Sequence, residues 1–438
     1  MLIQVLSHDY AYERMASADK KGGHTSKAMQ ALHQTIQVTY SYGVHFTNHL
    51  FARENLLLRE VISGIDGMET PMKVPKKILC VVDHGVEQHH PDLLNTISSY
   101  CQYHSSALRL VCPPLVVNGG EPVKNDMVNV ATLQEAIHRY GICRHSYVLV
   151  IGGGAVIDMV GYAAATAHRG VRLIRVPTTV LSQNDAGIGV KNSVNAFGKK
   201  NFLGTFAPPI AVLNDADFLT TLSMRDWRGG ISEAIKVALL KDVEFFDFLE
   251  KEAHRLVERN MQAMLQVIYR CAQLHLDHIA TNGDPFEFGS SRPLDFGHWS
   301  AHKLEQLSHY RLGHGEAVAI GIALDSTYSY LERLLPERDW LRILGLLAAL
   351  GLDVYSRELS LYDRGGTRRI LSGLQEFREH LGGQLTLPLL ERIGKGIEVN
   401  EVDEKTMVQS MALLEEYQAT YRNKTEKQQW LDIMVHAH

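Results

Sequence analysis

Four short stretches limit the fold most: "KILCVVD" (77–83), "ALRLVCPP" (107–114), "SYVLVIGGG" (146–154) and "VRLIRVP" (171–177). Each is apolar and rich in β-branched residues. Helical patterns separate them, at about 90–105, 124–140 and 155–168. Strands alternating with helices predict a parallel α/β sheet. The run at 146–151 is almost wholly apolar, as expected of a strand covered on both faces. Upstream, "IQVTYSYGVHF" alternates apolar and polar residues and predicts a half-buried strand.

After about Trp227 the pattern changes. "GGISEAIKVALL", "FFDFLEKEAHRLVERNMQAMLQVIYRCAQLHLDHIA" and "HGEAVAIGIALDSTYSYLERLL" carry helical spacing, and no clear strand returns before about 385. The expected plan is α/β plus α. A weakly ordered extension (1–34, with "MASADKKGGHTSK") precedes a parallel α/β domain (35–225) and a mostly helical domain (226–438). A cleft between the two domains is the default ligand site. The net charge of −5 gives no reason to expect nucleic acid or an anionic membrane, and no apolar run is long enough to span a bilayer. His8, Asp9 and Glu13 argue against a signal peptide, and five cysteines without a CxxC pair read as reduced core residues of a cytoplasmic protein.

Gly152, Gly153 and Gly154 lie between the buried strand and a helix. Glycines there let backbone N–H groups approach a pyrophosphate at the helix N-terminus. They would equally suit a tight strand–helix connection, and the run is not GxGxxG. Asp158 follows on the first helical turn. "NGGEPVK" places Glu121 and Lys124 after an earlier strand, and "RVPTTVLSQNDAGIGVKN" places Thr178, Thr179, Asp185 and Lys191 after a later one. Strand ends of this kind are where open α/β sheets bind ligands.

His298, His302, His309 and His314 fall within one short run of a chain holding 22 histidines. His298 and His302 share a helix face at four-residue spacing. Glu233, in the first turn of the helical domain, could join histidines in a three-ligand site with an open position. A plain histidine pair remains the alternative. His309 has no special neighbour and reads as surface.

With these residues in place, the chain resembles dehydroquinate synthase and the wider sugar phosphate cyclases. The matching segments are "GGGAVIDMVGYAAATAHRGVRLIRVPTTVL", "NDAGIGVKNSVNAFGKKNFLGTF", "GGISEAIK" and "FGHWSAHKLE…HGEAVAIGIA", in family order and across most of 75–330. The resemblance implies an NAD-binding α/β domain followed by a helical metal-binding domain. It implies Glu233, His298 and His314 as ligands of Zn2+, with Co2+ as a substitute. It implies NAD contacts from Asp83, Glu121, Lys124, Gly153, Gly154, Asp158, Thr178, Thr179 and Thr221. Asp185, Lys191, Lys200, Asn201, Lys236 and His302 match substrate-site positions. Arg169 matches an arginine that reaches the phosphate site of a neighbouring subunit, so a homodimer is expected. The expected reaction is transient oxidation of a small-molecule seven-carbon sugar phosphate, phosphate elimination, return of the hydride and aldol closure to a carbocycle. A metal-dependent alcohol or glycerol dehydrogenase shares the general plan, but needs no phosphate clamp such as Lys191, Asn201 and Lys236.

The chain also departs from the family pattern. The first-strand motif reads Asp83-His84-Gly85 in place of Asp-x-Asn. Asp295 replaces an asparagine three residues before the first metal histidine, His275 replaces a lysine, and Arg292 sits one residue closer to that histidine than expected. The late phosphate lysine has no evident counterpart. An ionised Asp295 would repel a substrate carboxylate. This favours sedoheptulose 7-phosphate, giving a valiolone-type product, over the heptulosonate 7-phosphate that gives 3-dehydroquinate. His302 points the other way, since several sedoheptulose-using relatives carry proline there. The stretch around Asp295 is most similar to the dehydroquinate synthase-like EboD proteins.

Overall fold

The structure, a computed structural model, describes residues 33–64, 74–281, 286 and 293–436. The chain divides after Tyr40 into two units. In the first, residues 33–40 are exposed and carry neither helix nor strand. The weakly ordered extension expected at 1–34 lies almost entirely outside the described residues. The second unit, Ser41–His438, holds every element below.

It begins with β1 (Gly43–Thr47), α1 (Leu57–Gly64), β2 (Lys76–Asp83), α2 (His84–His89), α3 (Leu93–Tyr103), β3 (Leu108–Leu110) and β4 (Leu115–Val117). Then come α4 (Met127–Arg139), β5 (Tyr147–Gly152), α5 (Gly154–Thr166), β6 (Arg172–Pro177), β7 (Lys191–Ala196), β8 (Lys199–Phe206) and β9 (Ala211–Asp215). Helices follow: α6 (Met224–Lys241), α7 (Val243–Val257), α8 (Met261–Thr281), α9 (His298–Leu307), α10 (His314–Leu331), α11 (Glu337–Ala349) and α12 (Ser372–His380). The hairpin β10 (Leu387–Arg392) and β11 (Lys395–Val399) precedes α13 (Glu404–His436).

Seven strands form one parallel sheet in the order β1-β9-β6-β5-β2-β3, with β4 also on β2. Side-chain alternation splits β5 between two cores. Tyr147, Leu149 and Ile151 pack with α1 and α3 residues such as Ile62 and Ile97. Val148 and Val150 pack with α4 and α5 residues such as Leu133 and Val160. This two-sided cover is what the all-apolar sequence predicted.

Proline explains two differences from the sequence reading. The helix expected at 90–105 is α3, while the short α2 before it was not anticipated; Pro91 separates the two, with His90 out of helical geometry (φ −131°, ψ 71°). The strand expected at 107–114 is only β3, ending ahead of Pro113-Pro114, and a further strand, β4, follows the prolines; the two pair with different parts of β2. The early strand is also shorter than expected: only Gly43–Thr47 pairs, with β9. The β7–β8 hairpin and β9 were not anticipated.

The strand order reverses between β2 and β5. The chain leaves β2 toward β3 and β4 on one side, then returns to β5 on the other. Ligands of open parallel sheets lie beyond the strand ends at such a switch point. Asp83 ends β2 and Gly152 ends β5.

In the helical half, two glycine contacts bring α10 against its neighbours. A Cβ on Gly315 would lie 2.0 Å from the Gly229 carbonyl oxygen of α6, and one on Gly321 would lie 2.0 Å from that of Gly297. Gly297, at φ +77°, is the left-handed residue that starts α9. Glu233 follows Gly229 by one turn, His298 follows Gly297, and His314 precedes Gly315.

Candidate active site

Glu233, His298 and His314 converge, with one ligating atom from each lying within 4.8 Å of the others. Glu233 is fully buried in the middle of α6, not in a first turn as the sequence reading placed it. Nε2 of His298 and of His314 lie 3.5 and 3.4 Å from the same oxygen, Oε1 of Glu233. The other ring nitrogens face acceptors: Nδ1 of His298 lies 3.1 Å from the Phe296 carbonyl, and Nδ1 of His314 lies 3.2 Å from Glu305 Oε2. A ring that donates through Nδ1 presents the lone pair of Nε2.

Neither oxygen of Glu233 has a hydrogen-bond partner of good geometry, although Lys236 Nζ lies 2.5 Å from Oε2. Lys236 supplies this buried carboxylate with a counter-charge, while Oε1, the oxygen nearest both imidazoles, is left without a hydrogen bond, a cost that a bound cation would offset. One carboxylate and two imidazoles converging on one point are a donor set that suits zinc. The residues therefore fit the metal.

Asp185 stands on the turn Ser182–Ala186. The preceding residue, Asn184, donates to the Gly230 carbonyl at 2.8 Å and so ties this turn to α6. Burial alone would raise the Asp185 carboxyl, but the Lys236 cation, helped by His275, holds it below the ordinary range. Burial likewise works against Glu233, and Lys236 and His298 overcome it, holding Glu233 well below. Lys236 loses by burial and gains more from Glu233 and Asp185, so it is firmly charged. Asp295, in the turn Pro293–Asp295, adds to the field at Lys236. His275 Nδ1 lies 2.9 Å from Asp185 Oδ1.

His302 completes a triangle of rings with these two histidines: it meets His298 edge-on at 5.6 Å between centroids and stacks on His314 at 5.9 Å. Burial and the nearby Lys200 cation keep it neutral, well below its ordinary value. His314 is pulled down by burial and Lys200, but Glu305 and Glu233 outweigh them and raise it to about 9. Lys200 donates to both oxygens of Glu305, at 2.7 and 2.9 Å.

The sheet side meets this cluster through Lys124. This buried lysine donates to Asp158 Oδ2 at 2.7 Å and to Asn201 Oδ1. Asn201 holds a left-handed φ of +56°, and its N–H donates to Asn195 Oδ1 at 2.8 Å. Asn195 in turn donates to Glu121 Oε1 at 3.0 Å. Asp83 caps α2 by accepting from Gly85 N–H at 2.8 Å. Gly153 caps α5 with no side-chain partner, and a Cβ on Gly154 would crowd Ala186 at 3.0 Å, so backbone is presented here. Thr178 is buried at the end of β6 with an unpartnered hydroxyl, and Thr179 bonds Ser182 at 2.8 Å. Thr221, at the end of the turn Ala216–Thr221, meets His90 Nε2 at 3.0 Å. Asp83 and the Gly153–Gly154 backbone stand at the switch point itself, and Thr178 follows the end of the next strand, β6.

Lys191 is exposed at the start of β7, where its carbonyl is held by Arg175 at 3.0 Å. Arg169 is not brought to this cluster. It is exposed, at the far end of α5, about 20 Å along the helix from the glycine turn. Arg292 lies outside the described residues. His309 is exposed, as expected.

Sequence reasoning missed three residues. Arg175 is fully buried and binds the carbonyls of Gly187, Gly189 and Lys191, fixing the loop that follows Asp185. Asn195 sets Asn201. Glu305 joins Lys200 to His314. A charge in the apolar strand "VRLIRVP" was the one signal available for Arg175. Spacing of seven from His298 was the signal for Glu305.

Comparison with known proteins agrees with this geometry. Residues 114–229 match the family model for the 3-dehydroquinate synthase N-terminal region, and residues 230–364 match that for its C-terminal region. A 2-epi-5-epi-valiolone synthase of Streptomyces albus is 32% identical over 388 residues, 87% of this chain and 89% of that one. A 3-dehydroquinate synthase of Coxiella burnetii is 34% identical over 301 residues, 68% of this chain and 81% of that one. The solved structure of a 2-epi-5-epi-valiolone synthase from Streptomyces hygroscopicus subsp. jinggangensis, with NAD+ and Zn2+ bound, is similar at a TM-score of 0.75 and 31% identity. That likeness covers 88% of this chain and 100% of that one. The chain belongs to the 3-dehydroquinate synthase family, within the sugar phosphate cyclases.

Proposed function

We propose that this protein is an NAD- and zinc-dependent cyclase of a seven-carbon sugar phosphate. Sedoheptulose 7-phosphate is the favoured substrate and a valiolone-type carbocycle the product. The observation that carries the reading is the Glu233–His298–His314 trio flanked by Lys236 and Asp185 on one side and by Lys200 and His302 on the other. Relatives bearing the valiolone synthase name support the substrate choice.

In this reading Glu233, His298 and His314 hold the metal. Asp83, Glu121, Lys124, Gly153, Gly154, Asp158, Thr178, Thr179 and Thr221 hold the dinucleotide. When bound, the dinucleotide takes up and returns a hydride, and the metal acidifies the hydroxyls it holds. Lys191, Asn201 and His302 grip the substrate phosphate through charge-assisted bonds. Lys236 and Lys200, both kept charged by buried carboxylates, orient hydroxyls. His302, neutral at pH 7, can accept a proton and pass it on. Residues 35–225 serve the cofactor and 226–438 the metal, and Arg169 completes the phosphate site of a second copy in a homodimer.

Asp295 decides between substrates. It shares the field of Lys236, so it stands where a substrate carboxylate would be repelled. A second reading, 3-dehydroquinate synthase, is favoured by His302, which stands beside the trio.

The test is purified protein with NAD+, zinc and each sugar phosphate, followed by phosphate release and product mass. Release from sedoheptulose 7-phosphate with a carbocyclic product is expected. Release from the heptulosonate alone would select the second reading. Steady NADH formation without phosphate release would point to a dehydrogenase instead.

A further inference from the structure

We propose that Glu305 is a positioning residue that sets two parts of the site with one carboxylate. It holds the His314 ring for the metal and Lys200 for the substrate. The inference rests on the metal reading above.

Helix α9 presents His298, His302 and Glu305 at spacings of four and three, on one face. Glu305 is only 3% exposed. A carboxylate so buried needs partners. Lys200 Nζ supplies both oxygens, at 2.7 and 2.9 Å, and His314 Nδ1 reaches Oε2 at 3.2 Å. Nε2 of the same ring faces Glu233 Oε1 at 3.4 Å. Glu305 therefore lies behind the ring, on the side away from the trio. It fixes the tautomer that leaves Nε2 as a ligand.

A competing arrangement exists. His302, Glu305 and His314 also bring ligating atoms within 4.8 Å of one another. The His314 atom facing Glu305 is Nδ1. A metal held there would require that nitrogen deprotonated and would compete with Lys200 for Oε2 of Glu305, bringing two cations onto one buried carboxylate. Glu305 acts better from behind the ring than as a ligand.

The consequence is a split between two variants. Glu305→Gln should weaken both metal and substrate binding, because neutral Gln is a poorer acceptor for both partners. Lys200→Met should weaken substrate binding alone, since Glu305 is left wholly to His314. Second-sphere losses of this kind cost about 10–100-fold in metal affinity.

The experiment titrates zinc on the full chain by competition with a chromogenic chelator, without turnover. It also measures KM for the sugar phosphate that releases phosphate in the assay above. Expected are a roughly 10–100-fold weaker zinc affinity and a raised KM for Glu305→Gln. For Lys200→Met, a raised KM with zinc affinity unchanged or tighter is expected. A folded Glu305→Gln protein with parental zinc affinity would overturn the proposal. Should that variant fail to fold, a crystal structure of the unaltered, zinc-loaded protein decides. Zinc on Nε2 of His314 supports the proposal, and zinc on Nδ1 and Glu305 overturns it. Parent protein that binds no zinc would be a different failure, that of the metal centre itself.

Discussion

Asp83, Gly153 and Thr178 stand at the ends of neighbouring strands, whereas Glu233, His298 and His314 stand on three helices far apart in sequence. The first group is placed by ladder pairing. Val82 faces Ile151 and Gly152 faces Pro177, so the strand ends are in register before any side chain packs. The second group has no ladder. Its geometry depends on how closely α6 and α9 approach α10, and that closeness comes from backbone meeting backbone at Gly229–Gly315 and Gly297–Gly321. The strand-end group should therefore tolerate damage in the helical half, while the Glu233–His298–His314 group should not.

The strongest way to separate the two is His314→Ala. It removes one ligand and leaves the strand ends untouched. Zinc retention and turnover should fall to background while NAD+ affinity, measured by calorimetry, stays at the parental value. Stoichiometric zinc with normal turnover would dismiss the trio as the metal centre. Gly315→Ala is a subtler attack on the same region. Its Cβ would meet the Gly229 carbonyl at 2.0 Å, and backbone cannot swing aside as a side chain can. A loss of about 1–3 kcal/mol in a denaturant titration is expected, with weakened zinc and intact NAD+ binding. Equal loss of both ligands would mean that the halves are not independent.

Asp325 tests the α9 corner through pH. Its oxygens accept from Gly297 N–H at 2.9 Å and Trp299 Nε1 at 2.8 Å, and burial pushes its carboxyl up to about 7, against those two bonds. The folded value thus exceeds the unfolded one. Its contribution to stability is complete below the unfolded value of about 3.9, is lost as pH rises through about 7, and is flat above. The Asp325 contribution in metal-free protein should fall by about a few kcal/mol across that window, so the stability-versus-pH curves of parent and Asp325→Asn should diverge there by that amount. An unchanged slope in the variant would assign the pH dependence elsewhere.

The same contrast explains what could be read from the chain alone. The buried strand at 146–151, the glycine turn and the change to helices near Trp227 are local patterns, and all were legible. The strand that was misjudged, at 107–114, ended early at Leu110, ahead of Pro113-Pro114, where backbone chemistry overrode an apolar run. The trio was legible only through resemblance, because residue spacing says nothing of how α6 meets α9. Arg175, Asn195 and Glu305 were passed over for a related reason, although a charge in an apolar strand and a helical spacing hinted at the first and the last. Each acts by holding another residue, and such a role exists only once the chain is folded.

The smallest expected effect is also the most specific. Asp295 does not touch the strand ends, and it lies three residues before His298 without belonging to the trio. Its carboxylate acts through the field it shares with Lys236. Asp295→Asn removes one negative charge and keeps shape, so zinc and NAD+ affinities should hold. The ratio of kcat/KM for the heptulosonate over sedoheptulose 7-phosphate should rise about tenfold, an interaction of about 1.4 kcal/mol. Salt should blunt the difference, since the charge is only partly buried. A ratio unmoved by the substitution, at low and high salt alike, would show that Asp295 does not select the substrate. The discrimination would then have to be sought at His275, which pairs with Asp185.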